Sequence, residues 1–301
     1  NPYIILYILM YKNFVYPTNS KLFNVFLNSN KNFLFEFKNT LNIKLFDVTL
    51  RDGIQNANPN HFKLDKKIEI FNEIKRDFNP NYFEIGSFVS SKKLPIFNDT
   101  LELYNNIKNE SNNLYILVPT FRIWNSSSSL HNANLSFITS TSNIFQMKNI
   151  NKTIMDTTTD INKISFISKS KNHSFKNKLY ISCINECPLS GIQDIESIID
   201  IIIFYCNPML DFKIIMLSDT CGSLTYENFK YIIDRVLFIV PIADRIGLHL
   251  HVKDTIEVEK IIHYALSINI RIFDVSIKEY GGCSLTIKNN MMYTNLNYEK
   301  F

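Results

Sequence analysis

Residues 44–55 read KLFDVTLRDGIQ, and the way this stretch parses decides the fold. Its first half is short, mostly apolar and contains Phe and Val, the composition of a buried strand, so a strand is expected over residues 43–48. Its second half sets a cation, Arg51, beside a carboxylate, Asp52, just past the strand end. Gly53 follows, where a tight turn is helped by a residue without Cβ. An Arg-Asp pair at the C-terminal end of a first strand is how a parallel α/β barrel begins an active site. A lone pair of this kind is more often a surface ion pair on a turn, so the remainder of the chain has to decide.

Outward from this stretch the pattern alternates. Leu64, Ile68, Phe71, Ile74 and Phe78 recur at helical spacing, and Asn79-Pro80 ends that helix. Further strands are expected at residues 82–86, 114–118, 135–139, 179–184, 213–217, 246–250 and 270–277. Helices are expected over 97–107, 153–168, 192–205, 226–240 and 256–268, with a weakly helical, Ser-rich stretch around 122–132. Eight strands alternating with helices argue for a single-domain (β/α)8 TIM barrel. An open doubly wound sheet is the runner-up, and the lack of Gly-x-Gly-x-x-Gly after the first strand counts against it.

Composition bounds the function. The 301 residues are 46% hydrophobic and 20% charged, the balance of a globular protein. The net charge of +4 is spread along the chain without a dense basic block, so no nucleic-acid partner is expected. Five cysteines without a second close pair to complement Cys183 and Cys187 argue against structural zinc and for a reducing compartment. The chain has only seven glycines, which therefore mark places where the backbone needs them. Residues 1–40 hold no acidic residue before Glu36, and their apolar run at 3–10 is too short to span a membrane. They read as an N-terminal extension or a transit segment, which leaves a mitochondrial and a cytoplasmic location both open. Residues 41–301 read as the catalytic barrel, cut short after the eighth strand.

Barrel chemistry collects at the C-terminal ends of strands. Those ends supply Arg51 and Asp52, Glu84 and Ser87, Cys183 and Cys187, Asp219, His249 and His251, then Gly281-Gly282-Cys283 with Asn290 beyond. His249 and His251 are two apart on a strand, so both imidazoles face the same side. With Asp52 across the barrel they suit a divalent metal. Two His, a carboxylate and an amide leave positions open for a chelating substrate, as Mg²⁺ or Mn²⁺ allows and closed tetrahedral zinc does not. Cys283, after two glycines, is expected to be more exposed and reactive than a core Cys, the alternative being a small packing residue.

Segments in this order resemble the 3-hydroxy-3-methylglutaryl-CoA lyase family of the metal-dependent lyase/Claisen-condensing TIM-barrel superfamily: DVTLRDGIQ at 47–55, FEIGSFVSSKKLP at 83–95, SNIFQMKNIN at 142–151, YISCINECPLSG at 180–191, LSDTCG at 217–222, LHLH at 248–251 and GGC at 281–283. The resemblance implies Asp52, His249, His251 and Asn290 as metal ligands. It implies Arg51 as the residue that neutralises the enolate oxygen, Cys283 as general acid/base, Glu84 and Asp219 as supporting carboxylates, and Gln55 and Ser87 at the substrate with Arg51. The implied reaction is retro-Claisen cleavage of 3-hydroxy-3-methylglutaryl-CoA, or a close acyl-CoA, to acetyl-CoA and acetoacetate. The expected partners are an acyl-CoA substrate and at most a second copy of the chain as a homodimer, with no membrane. Three departures stand out: Val252-Lys253 separate the His pair from Asp254-Thr255, Ser284 follows the loop Cys, and Lys278-Glu279-Tyr280 precede the glycines. A Claisen-condensing synthase of the isopropylmalate or citramalate type and an inactive barrel kept as a binding protein are the alternatives. Arg51, at a strand end, is expected to matter little for folding.

Overall fold

The computed structural model describes residues 42–90, 92–127, 133–170, 176–277, 281, 286 and 293–300. The expectations for residues 1–40, Cys283 and Asn290 lie outside these residues.

Short runs of Ile, Leu, Phe and Val form eight parallel strands: β1 (Lys44–Asp47), β2 (Tyr82–Ser87), β3 (Leu114–Leu117), β4 (Asn134–Ser140), β5 (Asn177–Ser182), β6 (Ile214–Asp219), β7 (Ile246–Leu250) and β8 (Ile272–Val275). Each pairs with its sequence neighbours, and β1 pairs with β8 to close the barrel. The helices between them are α1 (Leu64–Asp77), α2 (Thr100–Ile107), α3 (Phe121–Asn125), α4 (Asn143–Ile150), α5 (Ile154–Ser170), α6 (Ile195–Tyr205), α7 (Tyr226–Ile239) and α8 (Thr255–Ser267). The expected TIM barrel is therefore the observed fold. Among the described residues no helix is long and apolar enough to cross a membrane.

Strand residues are buried on both faces, as parallel strands under helices must be. Inward residues Phe46, Tyr115, Tyr180, Met216 and Ile272 fill the lumen as one cluster. Several helix starts carry the capping residue that their free N–H groups need. Asp194 accepts from Ser197 N, Thr225 from Asn228 N, and Asp254 from Ile256 N and Glu257 N. The two residues inserted after His251 thus leave Asp254 as the cap of α8. Left-handed backbone outside glycine falls mostly on Asn (Asn42, Asn79, Asn151 and Asn269). Asn, with its short polar side chain, replaces glycine at these turns in a glycine-poor chain.

Two expectations need correction, and two elements were not foreseen. Residues 143–150 form a helix, α4, that apolar spacing did not reveal, because Ile144 and Met147 are exposed. β5 stops at Ser182 rather than at residue 184, because Cys183 adopts φ 64. A two-stranded hairpin, Glu186–Cys187 with Gly191–Ile192, follows it. In place of the tight turn expected at Gly53, Thr49–Gly53 wind into a π-helical turn, closed by Gly53 N to Val48 O at 3.0 Å and Ile54 N to Thr49 O at 3.0 Å.

Residues 293–300 return across the barrel. Asn295 bridges to His251, Asn297 bridges to Ser276, and Leu296 is buried. Tyr298 stacks on Phe78 with centroids 4.2 Å apart, and its hydroxyl donates to Asp47 Oδ2 at 2.8 Å. Asp47 also accepts from Thr49 N and Thr49 Oγ1. Burial pushes the Asp47 carboxyl up to about 7 against the pull of these donors. The folded state therefore keeps a proton that the unfolded chain has released. Stability should fall as pH rises from about 4 through about 7, by at most about 1.4 kcal/mol per pH unit, and level off above. Asp47→Asn should flatten this slope in urea-unfolding midpoints taken at pH 5, 6, 7 and 8; an unchanged slope would assign it to another group.

Candidate metal centre and catalytic site

The π-helical turn buries Arg51 and Asp52 together at the end of β1. Arg51 Nη1 donates to Asp52 Oδ1 at 2.6 Å, and Arg51 Nε pairs with Glu84 Oε2 in the middle of β2. The guanidinium also lies over the Tyr180 ring, 4.9 Å from its centroid. With only 6% of Arg51 exposed, the expectation that it is peripheral to folding is corrected. Winding the turn as a π-helix, not an open loop, draws its charge inside.

Asp52 Oδ1 also accepts from Gln55 Nε2 at 2.8 Å, and Asp52 Oδ2 accepts from Asn295 Nδ2 at 2.8 Å. Burial alone would raise the Asp52 carboxyl, but Arg51, His249, His251 and the Asn295 amide hold it well below the usual carboxylate range.

Both histidines face the lumen, as their spacing required, with ring centroids 4.9 Å apart and planes perpendicular. Each is oriented through Nδ1: His249 to Asp274 Oδ2 at 3.0 Å, and His251 to the Asp219 carbonyl at 2.8 Å. An Nδ1–H given to an oxygen leaves the Nε2 lone pair for a ligand. His249 Nε2 lies 3.9 Å from Asp52 Oδ2. Burial, then the neighbouring His249, pushes His251 down to about 4, so it needs to shed no proton to coordinate at neutral pH.

One ligand atom each from Asp52, His249 and His251 falls within 4.8 Å of the others. Among the described residues, His251 Nε2 and Asn295 Oδ1 are buried without a hydrogen-bond partner. Buried polar atoms go unpaired at a cost of about 1–3 kcal/mol each, so two at the same cluster call for a ligand. A carboxylate, two imidazoles and an amide oxygen are a donor set that a divalent ion fits.

Asn295 was missed in the sequence. It sits beyond β8 in a segment without periodicity, and only the fold brings it 243 positions back to Asp52. Asp274 was missed because it lies inside an apolar strand. Gly281 is bound to this arrangement: it has φ +113, and a Cβ there would collide with the Asn295 amide. Gly222, at φ +64, lies where a Cβ would come within 3.0 Å of the His251 carbonyl.

The other expected residues fall as follows. Glu84 is buried, with Oε2 accepting from Tyr180 OH at 2.8 Å and Oε1 unpartnered among the described residues. Asp219 spends both side-chain oxygens on Ser223 N and Leu224 N, and burial pushes its carboxyl up to about 6. Ser87 is buried, with its Oγ donating to the Leu117 carbonyl at 3.3 Å, so meeting a substrate would require giving up that bond. Cys183 and Cys187 pack with Phe145. Burial alone would raise the Cys187 thiol, but the hydroxyls of Ser142 and Ser190 and the N–H groups of Leu189 and Ser190 lower it.

The chain is 27% identical over 242 residues to the mitochondrial hydroxymethylglutaryl-CoA lyase of Arabidopsis thaliana, covering 80% of this chain and 50% of that protein. It thus spans about half the length of that relative. To hydroxymethylglutaryl-CoA lyase YngG of Bacillus subtilis it is 27% identical over 245 residues, covering 80% of this chain and 78% of the relative. The crystal structure of hydroxymethylglutaryl-CoA lyase from Pseudomonas aeruginosa shares the fold with a TM-score of 0.73 at 24% identity, over 85% of this chain and 82% of that one. The HMGL-like family matches residues 42–258, which take in both the Arg-Asp turn and the His pair, and the chain belongs to that family.

Proposed function

We propose that this protein is a carbon–carbon lyase that cleaves 3-hydroxy-3-methylglutaryl-CoA, or a close acyl-CoA, to acetyl-CoA and acetoacetate. The observation that carries the proposal is the convergence of Asp52, His249 and His251 with two unpartnered buried donor atoms, His251 Nε2 and Asn295 Oδ1. The names of the relatives support the acyl-CoA substrate.

Asp52, His249, His251 and Asn295 would hold a divalent ion, with Mg²⁺ or Mn²⁺ as our choice. Bound there, the ion would supply Lewis-acid acidification of the tertiary hydroxyl. Asn295 replaces Asn290 as the fourth ligand we propose, since its amide already lies against Asp52. In the reaction the hydroxyl loses its proton, the C2–C3 bond breaks, and the electron pair moves into the thioester as an enolate. Arg51 presents fixed positive charge where that enolate oxygen develops. Glu84 Oε1, buried beside Arg51, is suited to hold the proton from the hydroxyl. Cys283, which follows Gly281-Gly282 in the sequence, returns a proton to the enolate carbon.

Purified protein with Mn²⁺ and 3-hydroxy-3-methylglutaryl-CoA should release acetyl-CoA. Cys283→Ala should abolish the release while Mn²⁺ still binds. Undiminished release by Cys283→Ala would remove the thiol from the mechanism. Mn²⁺ binding without release by the wild type would favour a condensing synthase, and no Mn²⁺ binding an inactive barrel.

A further inference from the structure

Lys178, the second residue of β5, has a side chain with no exposed surface. No motif or periodicity marks it in the sequence. Its Nζ donates to Asp274 Oδ1 at 2.8 Å and to Tyr180 OH at 2.6 Å, and it lies 3.4 Å from the centroid of the Phe46 ring. Two lines of contact leave this ammonium. The first runs through Asp274, whose other oxygen meets His249 Nδ1 at 3.0 Å. The second runs through Tyr180, whose hydroxyl donates to Glu84 Oε2, the same oxygen that takes Arg51 Nε. A desolvated cation is costly, and a hydrophobic residue of similar size often serves stability as well or better. Its contacts suit a positional role. It fixes one carboxylate that orients a metal ligand, and it fixes the phenol behind the carboxylate that orients Arg51.

We propose that Lys178 is the positioning residue for both halves of the site, coupling the seating of His249 to the seating of Arg51 through one buried ammonium. The inference rests on the metal-dependent lyase reading above. Orienting partners of metal-bound histidines typically matter by about 10–100-fold in metal affinity. Lys178→Met should therefore weaken Mn²⁺ binding by about 10–100-fold. It should reduce turnover further, because Arg51 loses its support as well. Lys178→Arg, which keeps a cation, should recover most of both.

The deciding experiment is a double-mutant cycle read by Mn²⁺ titration and by acetyl-CoA release, with wild type, Lys178→Met, Asp274→Asn and the double variant. If Lys178 acts on His249 through Asp274, the double variant should lose no more Mn²⁺ affinity than Asp274→Asn alone. Its turnover should still lie below that of Asp274→Asn, because the Tyr180 line is cut too. Should Lys178→Met fail to fold, the double variant, which also removes the facing charge, is compared with Asp274→Asn alone. Mn²⁺ affinity of Lys178→Met within twofold of wild type, or losses that multiply in the double variant, would overturn the inference. A wild type that takes up no Mn²⁺ overturns the metal reading and this inference with it. A wild type that binds Mn²⁺ but cleaves nothing overturns only the lyase reading, and the metal arm of the cycle still judges Lys178.

Discussion

Asp52→Asn should abolish Mn²⁺ binding at millimolar metal and reduce turnover by about 10³ or more, since the ion's charge stabilisation is worth several kcal/mol. Asp52 is the only carboxylate of the three convergent side chains. It is ringed by donors: Arg51 and Gln55 on one oxygen, Asn295 on the other. An amide at this position has one acceptor where three donors point. Its NH₂ must face either Asn295 or the Arg51–Gln55 side, so the substitution both removes the charge and displaces a neighbour. The free protein should remain folded, because the turn's backbone bonds do not involve the side chain. Metal titration followed by circular dichroism checks both parts. Retained Mn²⁺ affinity would place the ion elsewhere.

Arg51→Gln should act on two quantities at once. Turnover should fall by about 10²–10³, the cost of removing one preorganised electrostatic contact from a developing oxyanion. Stability should also fall, by about 3–5 kcal/mol, because Glu84 is left buried without its cation and Asp52 loses its closest one. Burial disfavours the Arg51 charge, but Glu84, Tyr180 and Asp52 outweigh it and hold the guanidinium firmly protonated. Urea unfolding and turnover at saturating Mn²⁺ separate the two effects. A variant with wild-type stability would mean that water replaces the guanidinium beside Glu84.

The barrel was legible because its signals are local. Apolar runs such as residues 214–217 and helical spacing such as Leu64, Phe71 and Ile74 do not depend on what lies across the core. The His pair was legible for the same reason: a period of two fixes both rings on one face of the extended backbone that runs from β7 through His251. What the sequence hid depends on distance or on the turn. Asn295 meets Asp52 only after the segment following β8 folds back, and nothing near it in the chain announces that return. Asp274 reads as an interruption of an apolar strand and Lys178 as a residue just ahead of one, yet each is the other's counter-ion. The burial of Arg51 followed from a π-helical winding that residues 49–53 do not signal by composition.

The hydrogen bond between Asn295 and Asp52 spans 243 positions, so the site draws on residues spread along almost the whole barrel sequence. Asp52 emerges early, both imidazoles much later, and the amide last. Joining such distant points carries a loop-closure cost that grows only slowly with length, and in the folded protein the amide reaches Asp52 beside the seam where the first strand meets the last. An ion held by Asp52, His249, His251 and Asn295 would draw on both ends of that seam, so metal uptake should report that the last strand has found the first.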